Sequence, residues 1–324
     1  MDADLESAEI VFAQRLASGE PIIRQRALKL LKQFVSKNSK EKSFTDESMM
    51  RFCKGLHYAM WMQDKMLLQE QLADDICNLV NLFAMEDQVQ EFVRAFFFSL
   101  SKEWPMIDRW RMDKFLMLFR RLFRVILARL RDRYKWDEDA VSLYIDLFRS
   151  TVISPDSKIC ESLKYHFSGI YLDELDNCGN LSEETIMKFL TPYADLLQED
   201  ISDSFFRTIC SEIFDAILHD FSASLVDIES DEEESAETVQ HNNAKINRTG
   251  KESLTDKIGF KFNYGRLAEL LLQKGAPLHV PSKRRKRIYT LSKRFENVTK
   301  GIDPYPPPVL PNKVIKKWRK KGRL

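Results

Sequence analysis

Cys53 and His57 stand four residues apart, so one helical face would offer a thiol and an imidazole, the ligand types that zinc prefers. A zinc site needs at least three protein ligands, and no second Cys/His pair lies nearby. The same face carries Met49, Leu56 and Met60, which makes a buried structural pair the better reading. The acid pairs Asp74–Asp75 and Glu183–Glu184 are adjacent, so on a helix they diverge by roughly 100° and cannot act as one acid–base couple. Glu183 and Glu184 follow Ser182, where carboxylates favour a helix N-terminus. The five histidines stand apart from one another. There is no phosphate-cradling GxxxxGK[ST], no GxGxxG, GxSxG or HExxH, and no calcium loop. No catalytic residue, metal ligand or cofactor is assigned, and the chain is read as a non-enzyme.

Basic residues give a stronger signal. The stretch 108–136, DRWRMDKFLMLFRRLFRVILARLRDRYKW, has ten Lys or Arg against three Asp. Met112, Phe115, Phe119, Leu122, Ile126 and Leu130 form an apolar stripe along it. Such a helix can be an internal one with a salt-bridged face, a surface for RNA or a partner, or a membrane-surface helix. Near the end of the chain, SKRRKR (282–287) and KKWRKKGR (316–323) form two basic clusters, the pattern of a nuclear or nucleolar import signal. The same clusters could bind RNA phosphates without reading sequence. The candidate contacts are Lys283, Arg284, Arg285, Lys286, Arg287, Lys293 and Arg294, then Lys316, Lys317, Arg319, Lys320, Lys321 and Arg323. Trp318 is either a base-stacking residue or a packing anchor.

These residues need a frame, and composition says which kind. The 324 residues include only 10 Gly and 11 Pro, too few for the tight turns of a sheet-rich fold. Five scattered cysteines without a CxxC pair fit a reducing compartment. The acidic start MDADLESAEI lacks a signal core and no run is long and apolar enough for a membrane span, so a soluble intracellular protein is expected. Amphipathic helices are predicted over 20–37, 64–84, 86–103, 108–135, 137–151, 157–176, 182–197 and 202–218, with Thr45 as the N-cap of a further helix whose face carries Met49, Cys53, Leu56 and Met60, and with Pro192 bending or ending its helix. Helices of similar length joined by short connections predict an all-α, irregular HEAT- or armadillo-like solenoid, with a compact bundle as the alternative.

Charge divides the chain. From Ser282 to Leu324 there are 15 Lys or Arg and 2 acids, a local +13 in a chain whose net charge is +1. The segment DIESDEEESAE (227–237) holds seven acids and no base and is read as a disordered linker, with Ser230 a candidate for an acid-directed kinase. The expected layout is a helical-repeat domain over 1–222, an acidic linker over 223–253, C-terminal helices packing on the repeat over 254–300, and an extended Pro-rich, basic tail over 301–324. KGLHYAMWMQDKMLLQEQLADDI (54–76) then reads as two helices meeting at a corner, with Trp61 and its methionines in the seam.

Three stretches together resemble the eukaryotic ribosomal RNA processing protein 1 family: KGLHYAMWMQDKMLLQEQLA (54–73), WPMIDRWRMDKFLMLFRRLFR (104–124) and FKFNYGRLAELLLQKGAPLHVPSKRRKRIYTLSKRF (260–295). The likeness runs from about Leu5 to Phe295, departing from the family pattern at His57 and Met66. The resemblance implies a nuclear, nucleolar assembly factor of the large (60S) ribosomal subunit, acting in early pre-60S particles where the 5.8S/28S-type precursor is processed. It implies no cofactor, no small-molecule substrate and no membrane. Other assembly factors would dock on the helices, with Gln63, Asp64, Lys65, Arg109, Arg111, Lys114, Arg120, Arg121 and Arg124 as candidate contacts, and pre-rRNA would meet the basic C-terminal region. The competing reading is a helical-repeat nuclear adaptor for cargo or chromatin, its basic clusters serving import alone.

Overall fold

Short polar side chains start several of the helices, as the capping rule favours. Thr45 accepts from the Ser48 amide, Asp137 from Ala140, Ser182 from Thr185, Ser202 from Phe205 and Asn263 from Arg266. In the computed structural model of the chain, residues 10–40, 44–156, 158–225 and 261–305 are described. A helical segment over 10–16 precedes α1 (Pro21–Asn38), α2 (Asp46–Trp61) and α3 (Met66–Cys77), which tightens into a 3₁₀ turn, Asn78–Leu82. Then come α4 (Glu86–Glu103), α5 (Arg109–Asp132), α6 (Glu138–Arg149), α7 (Glu161–Cys178), α8 (Glu183–Leu196) and α9 (Asp203–Ile209). The last of these passes through a π-helical turn, Cys210–Asp215, and runs on helically to residue 225. α10 (Tyr264–Gly275) and α11 (Ser282–Thr299) form a closing hairpin. No strand occurs among the described residues.

The helices stack in two rows. α2, α4, α6, α8 and α10 pack each on the next, and so do α3, α5, α7 and α9. Contact between i and i+2 along both rows is the geometry of a helical-repeat solenoid, and the expected all-α repeat fold is the observed one. Aromatic side chains fill the space between the rows. Phe123 lies 4.7 Å from Phe167 and stacks on Tyr171 at 5.5 Å, and Tyr171 meets Tyr193 at 5.0 Å. Tyr171 Oη finds its partner in the Phe189 carbonyl at 3.0 Å, as a buried hydroxyl must.

Two glycines permit close crossings. A Cβ on Gly55, inside the 54–73 signature, would sit 3.0 Å from the Ala13 Cα, so the segment over 10–16 lies directly on α2. A Cβ on Gly275 would meet the Tyr289 ring at 2.6 Å, so α10 ends where α11 lays this side chain across it.

Several local expectations are corrected. α8 runs to Leu196, within the predicted 182–197, so Pro192 does not end it: Tyr193, Ala194 and Leu196 are buried and hold the next turn in place. α7 starts at Glu161 rather than 157: Lys164 Nζ donates to the Ser154 and Asp156 carbonyls and holds the preceding chain as a turn. The helix begun at Asp203 is still helical at residue 225, the last described residue of this stretch, past the predicted end at 218. α10 packs on α8. The start of the predicted tail is not extended away from the body: Tyr305 stacks on His219 with ring centroids 4.0 Å apart, and Ser222 Oγ donates to Asp303 at 2.8 Å.

Candidate partner and nucleic-acid interfaces

The α2–α3 corner is a packing seam. Cys53 and His57 are both buried, and the His57 ring stacks on Phe115 of α5 at 4.6 Å. Burial, then the nearby Lys114 charge, lowers the imidazole to about 4, so it is neutral, and its Nδ1 has no hydrogen-bond partner among the described residues. Burial also raises the Cys53 thiol far above its ordinary range. Among the described residues no group of three or more His, Cys, Asp or Glu side chains could hold a metal ion.

Lys114 closes the corner from the other side. Its Nζ donates to the Trp61 carbonyl at 2.7 Å and the Gln63 carbonyl at 2.8 Å, occupying groups that the end of α2 leaves unpaired. Arg111 pairs with Asp108 and lies over the Trp61 ring at 4.9 Å. Asp64, Lys65 and Arg109 are exposed, and Gln63 is half-buried. Sequence reasoning missed the apolar residues beside them. Trp110 is 91% exposed, Leu67 78%, Met106 74% and Met66 70%. Their signal was available: none falls on the apolar stripe of its helix, yet all are large.

The arginines of α5 are held within the chain. Arg120 and Arg124 both donate to Glu174 of α7, whose side chain is fully buried, with the Arg124 bonds at 2.7 and 2.9 Å. Burial works to raise the Glu174 carboxyl, but the two guanidiniums outweigh it and hold it below the usual carboxylate range. Arg121 pairs with Asp74 at 2.6 Å and Glu70 at 3.0 Å on α3. Arg129 meets Glu86 at 2.6 Å, where Tyr134 and Tyr144 also donate. Of the α5 cations expected to face a partner, Arg109 alone is exposed without a hydrogen bond or ion pair among the described residues; the internal, salt-bridged reading of this helix is the one the structure supports.

α11 divides its charges by residue type. Arg284 donates to Asp203 at 2.8 Å and the Ile201 carbonyl at 2.5 Å, and lies over the Phe206 ring at 5.2 Å. Arg285 gathers the Gly275, Pro277, Leu278 and Val280 carbonyls and so fixes the α10–α11 turn. Arg287 and Arg294 share Asp215 on the π turn, and Tyr305 Oη donates to the same carboxylate at 2.7 Å. The Arg294 guanidinium lies 4.4 Å over the Tyr305 ring. Lys283, Lys286 and Lys293 are exposed and make no hydrogen bond or ion pair among the described residues. At i, i+3 and i+10 they share the outer face, opposite the buried Ile288, Leu291 and Phe295. Tyr289, 37% exposed, lies between them.

Lys316, Lys317, Trp318, Arg319, Lys320, Lys321 and Arg323 lie outside the described residues, as does Ser230 with its acidic segment.

Comparison with known proteins agrees with the resemblance. The family model described as nucleolar protein, Nop52, matches residues 7–292. A ribosomal RNA processing protein 1 homolog of Caenorhabditis elegans is 45% identical over 94% of this chain and 71% of its own length. Human homolog B is 31% identical over 92% of this chain, and human homolog A 28% over 95%. The chain spans 44% of the length of human homolog B and 74% of homolog A. With a family model over most of its length and a relative this similar along nearly all of it, the chain belongs to the Nop52, or ribosomal RNA processing protein 1, family of nucleolar proteins.

Proposed function

We propose that the protein acts in ribosomal RNA processing and ribosome biogenesis as a non-enzymatic scaffold for early nucleolar pre-60S particles. The observation that carries this reading is the similarity, over nearly the whole chain, to relatives named for ribosomal RNA processing. The solenoid offers long edges to other assembly factors, and the exposed corner around Lys65, Leu67, Arg109 and Trp110 is the surface we assign to such a partner. The free lysines of α11, continued by the basic cluster from Lys316 to Arg323, contact pre-rRNA backbone, since a cation without an internal partner keeps its charge for phosphate. Phosphorylation of Ser230 would add negative charge to the acidic segment and weaken that contact.

Depletion tests the main statement. The expected result is accumulation of the uncleaved 5.8S/28S-type precursor, with the tagged protein co-sedimenting with pre-60S particles. Normal precursor levels after depletion would overturn it.

A further inference from the structure

Between α9 and α11 lies a cleft of about 460 Å³. That volume is in the range of sites that take a drug-sized ligand, and a nucleotide is of that size. Phe206 and Cys210, both buried, line it with apolar surface. Arg207 enters from α9, and Lys283, Arg284 and Arg287 from α11. Asp203 is the one carboxylate among its lining residues, and it is paired with Arg284. Arg207 is exposed, and its guanidinium donates only to the Ser204 hydroxyl, at 3.2 Å. Two cations, Arg207 and Lys283, therefore face the cleft without an ion pair among the described residues, although the Asp203 carboxylate, held low chiefly by Arg284, also feels both charges.

Lys283 belongs both to the cleft lining and to the row of free lysines along the outer face of α11. Lys286 and Lys293 follow along the helix at rises of roughly 4.5 and 10.5 Å. A second, shallower groove along that face is lined by Lys286, Tyr289 and Lys293. A row of free cations with an aromatic ring among them suits a polymer carrying one charge per unit, and an apolar recess at its end suits an unstacked base. An acidic peptide could meet the cations, but its short carboxylate side chains have no use for the recess.

We propose that the α9–α11 cleft seats one unpaired nucleotide of a single-stranded RNA, with its phosphate between Arg207 and Lys283 and its base against the apolar lining of Phe206 and Cys210. The strand then continues along Lys286, Tyr289 and Lys293. This rests on the RNA-contact reading above and adds to it a site that includes Arg207, a residue some 75 positions away from the basic cluster.

The test uses the full chain, a fluorescent 12-nucleotide oligouridine and a duplex of equal length, with anisotropy as the readout. A second oligouridine carries 4-thiouridine, and its crosslinks are mapped by mass spectrometry. Arg207→Gln is expected to weaken oligouridine binding by about tenfold, leave duplex binding within about twofold, and abolish crosslinks to the peptide holding Phe206 and Cys210. Arg207→Glu should do so more strongly, and since Arg207 makes only an exposed contact, the thermal midpoint of either variant should match the parent. If both variants bind and crosslink like the parent while the double variant Lys286→Gln/Lys293→Gln loses affinity, the cleft is overturned and the RNA contact along α11 stands. Failure of the parent chain to bind either RNA overturns both. Loss of both oligouridine anisotropy and crosslink yield when a polyglutamate peptide of equal charge is added before irradiation overturns the nucleotide seat in favour of an acidic-peptide site.

Discussion

α5 and α11 are both basic amphipathic helices, and the sequence marks both as candidate contacts, yet they are built to opposite ends. α5 stands in the middle of its row between α3 and α7, and both neighbours turn carboxylates toward it. α11 lies at the end of the stack, packed on α10 and joined by side chains to α9 and its π turn, and its outer face has no helix beyond it among the described residues. Position in the stack therefore decides whether a cation is internal or free. On α11 residue type follows position: arginine, with its planar fork, takes the internal posts, and lysine takes the free ones; on α5 the buried Lys114 and the exposed Arg109 break that division. Charge density along a sequence is then a poor guide to a binding face unless the helix on either side is known.

The sharpest way to break this contrast is to remove the internal acceptor of α5. Glu174→Ala leaves Arg120 and Arg124 facing a buried gap and should destabilise the chain by about 2–3 kcal/mol in urea unfolding, against almost nothing for Arg109→Ala. Because the folded carboxyl is held low, its stabilisation is complete above the unfolded value of about 4.3 and is lost as pH falls through the lower folded value. A Glu174→Gln chain should accordingly show a flatter loss of stability below pH 4.5 than the parent.

On α11 the inner face should behave like α5. Asp215→Ala removes the acceptor shared by Arg287, Arg294 and Tyr305 and should cost about 2 kcal/mol, while freeing the chain around Tyr305 to rapid amide exchange. A stable Asp215→Ala chain would put the α11 arginines in the same class as its lysines.

The α2–α5 seam gives a smaller and pH-dependent effect. The buried His57 stays neutral with its value near 4, against about 6.5 unfolded, so its contribution is complete above pH 6.5 and is lost as pH falls toward 4. His57→Phe keeps the stack on Phe115 and should remove about 1–2 kcal/mol of stability loss between pH 7 and 5, read as a smaller fall in the thermal midpoint. Smallest in stability is Lys286→Ala/Lys293→Ala, within about 0.5 kcal/mol of the parent, yet this pair should lower the salt slope of RNA binding by about 2. An unchanged slope would show that the outer face of α11 does not touch phosphate.

How much of this could be read from residues alone differs between the two helices. On α5 the stripe from Phe115 through Leu130 was legible and is buried, because period 3.6 reports one apolar face directly. Leu118, Phe123 and Leu127 are equally buried and lay off that stripe, since a mid-stack helix has neighbours on more than one side. The acids that meet its arginines sit about 50 residues away, and no local pattern announces such a pairing. On α11 the basic cluster was legible and its division was not: Arg284 and Lys283 are adjacent in sequence, and only the position of Asp203 separates their roles. The cleft with Arg207 was hidden for the same reason, being made by two helices that meet only in the fold.

The π turn at Cys210–Asp215 has a consequence for how this family can vary. A turn widened beyond the α pitch carries an extra residue without adding a turn, so the two halves of α9 keep their faces although their numbering slips by one. Deleting one residue there would restore regular pitch and leave those faces in place, whereas deleting one from the regular helix after it would rotate everything up to residue 225 by roughly 100°. In that second case His219 would leave the Tyr305 ring, and Ser222 would leave Asp303, although no side chain in either contact had been altered. The π turn is therefore the place in α9 where a one-residue change of length should be tolerated best.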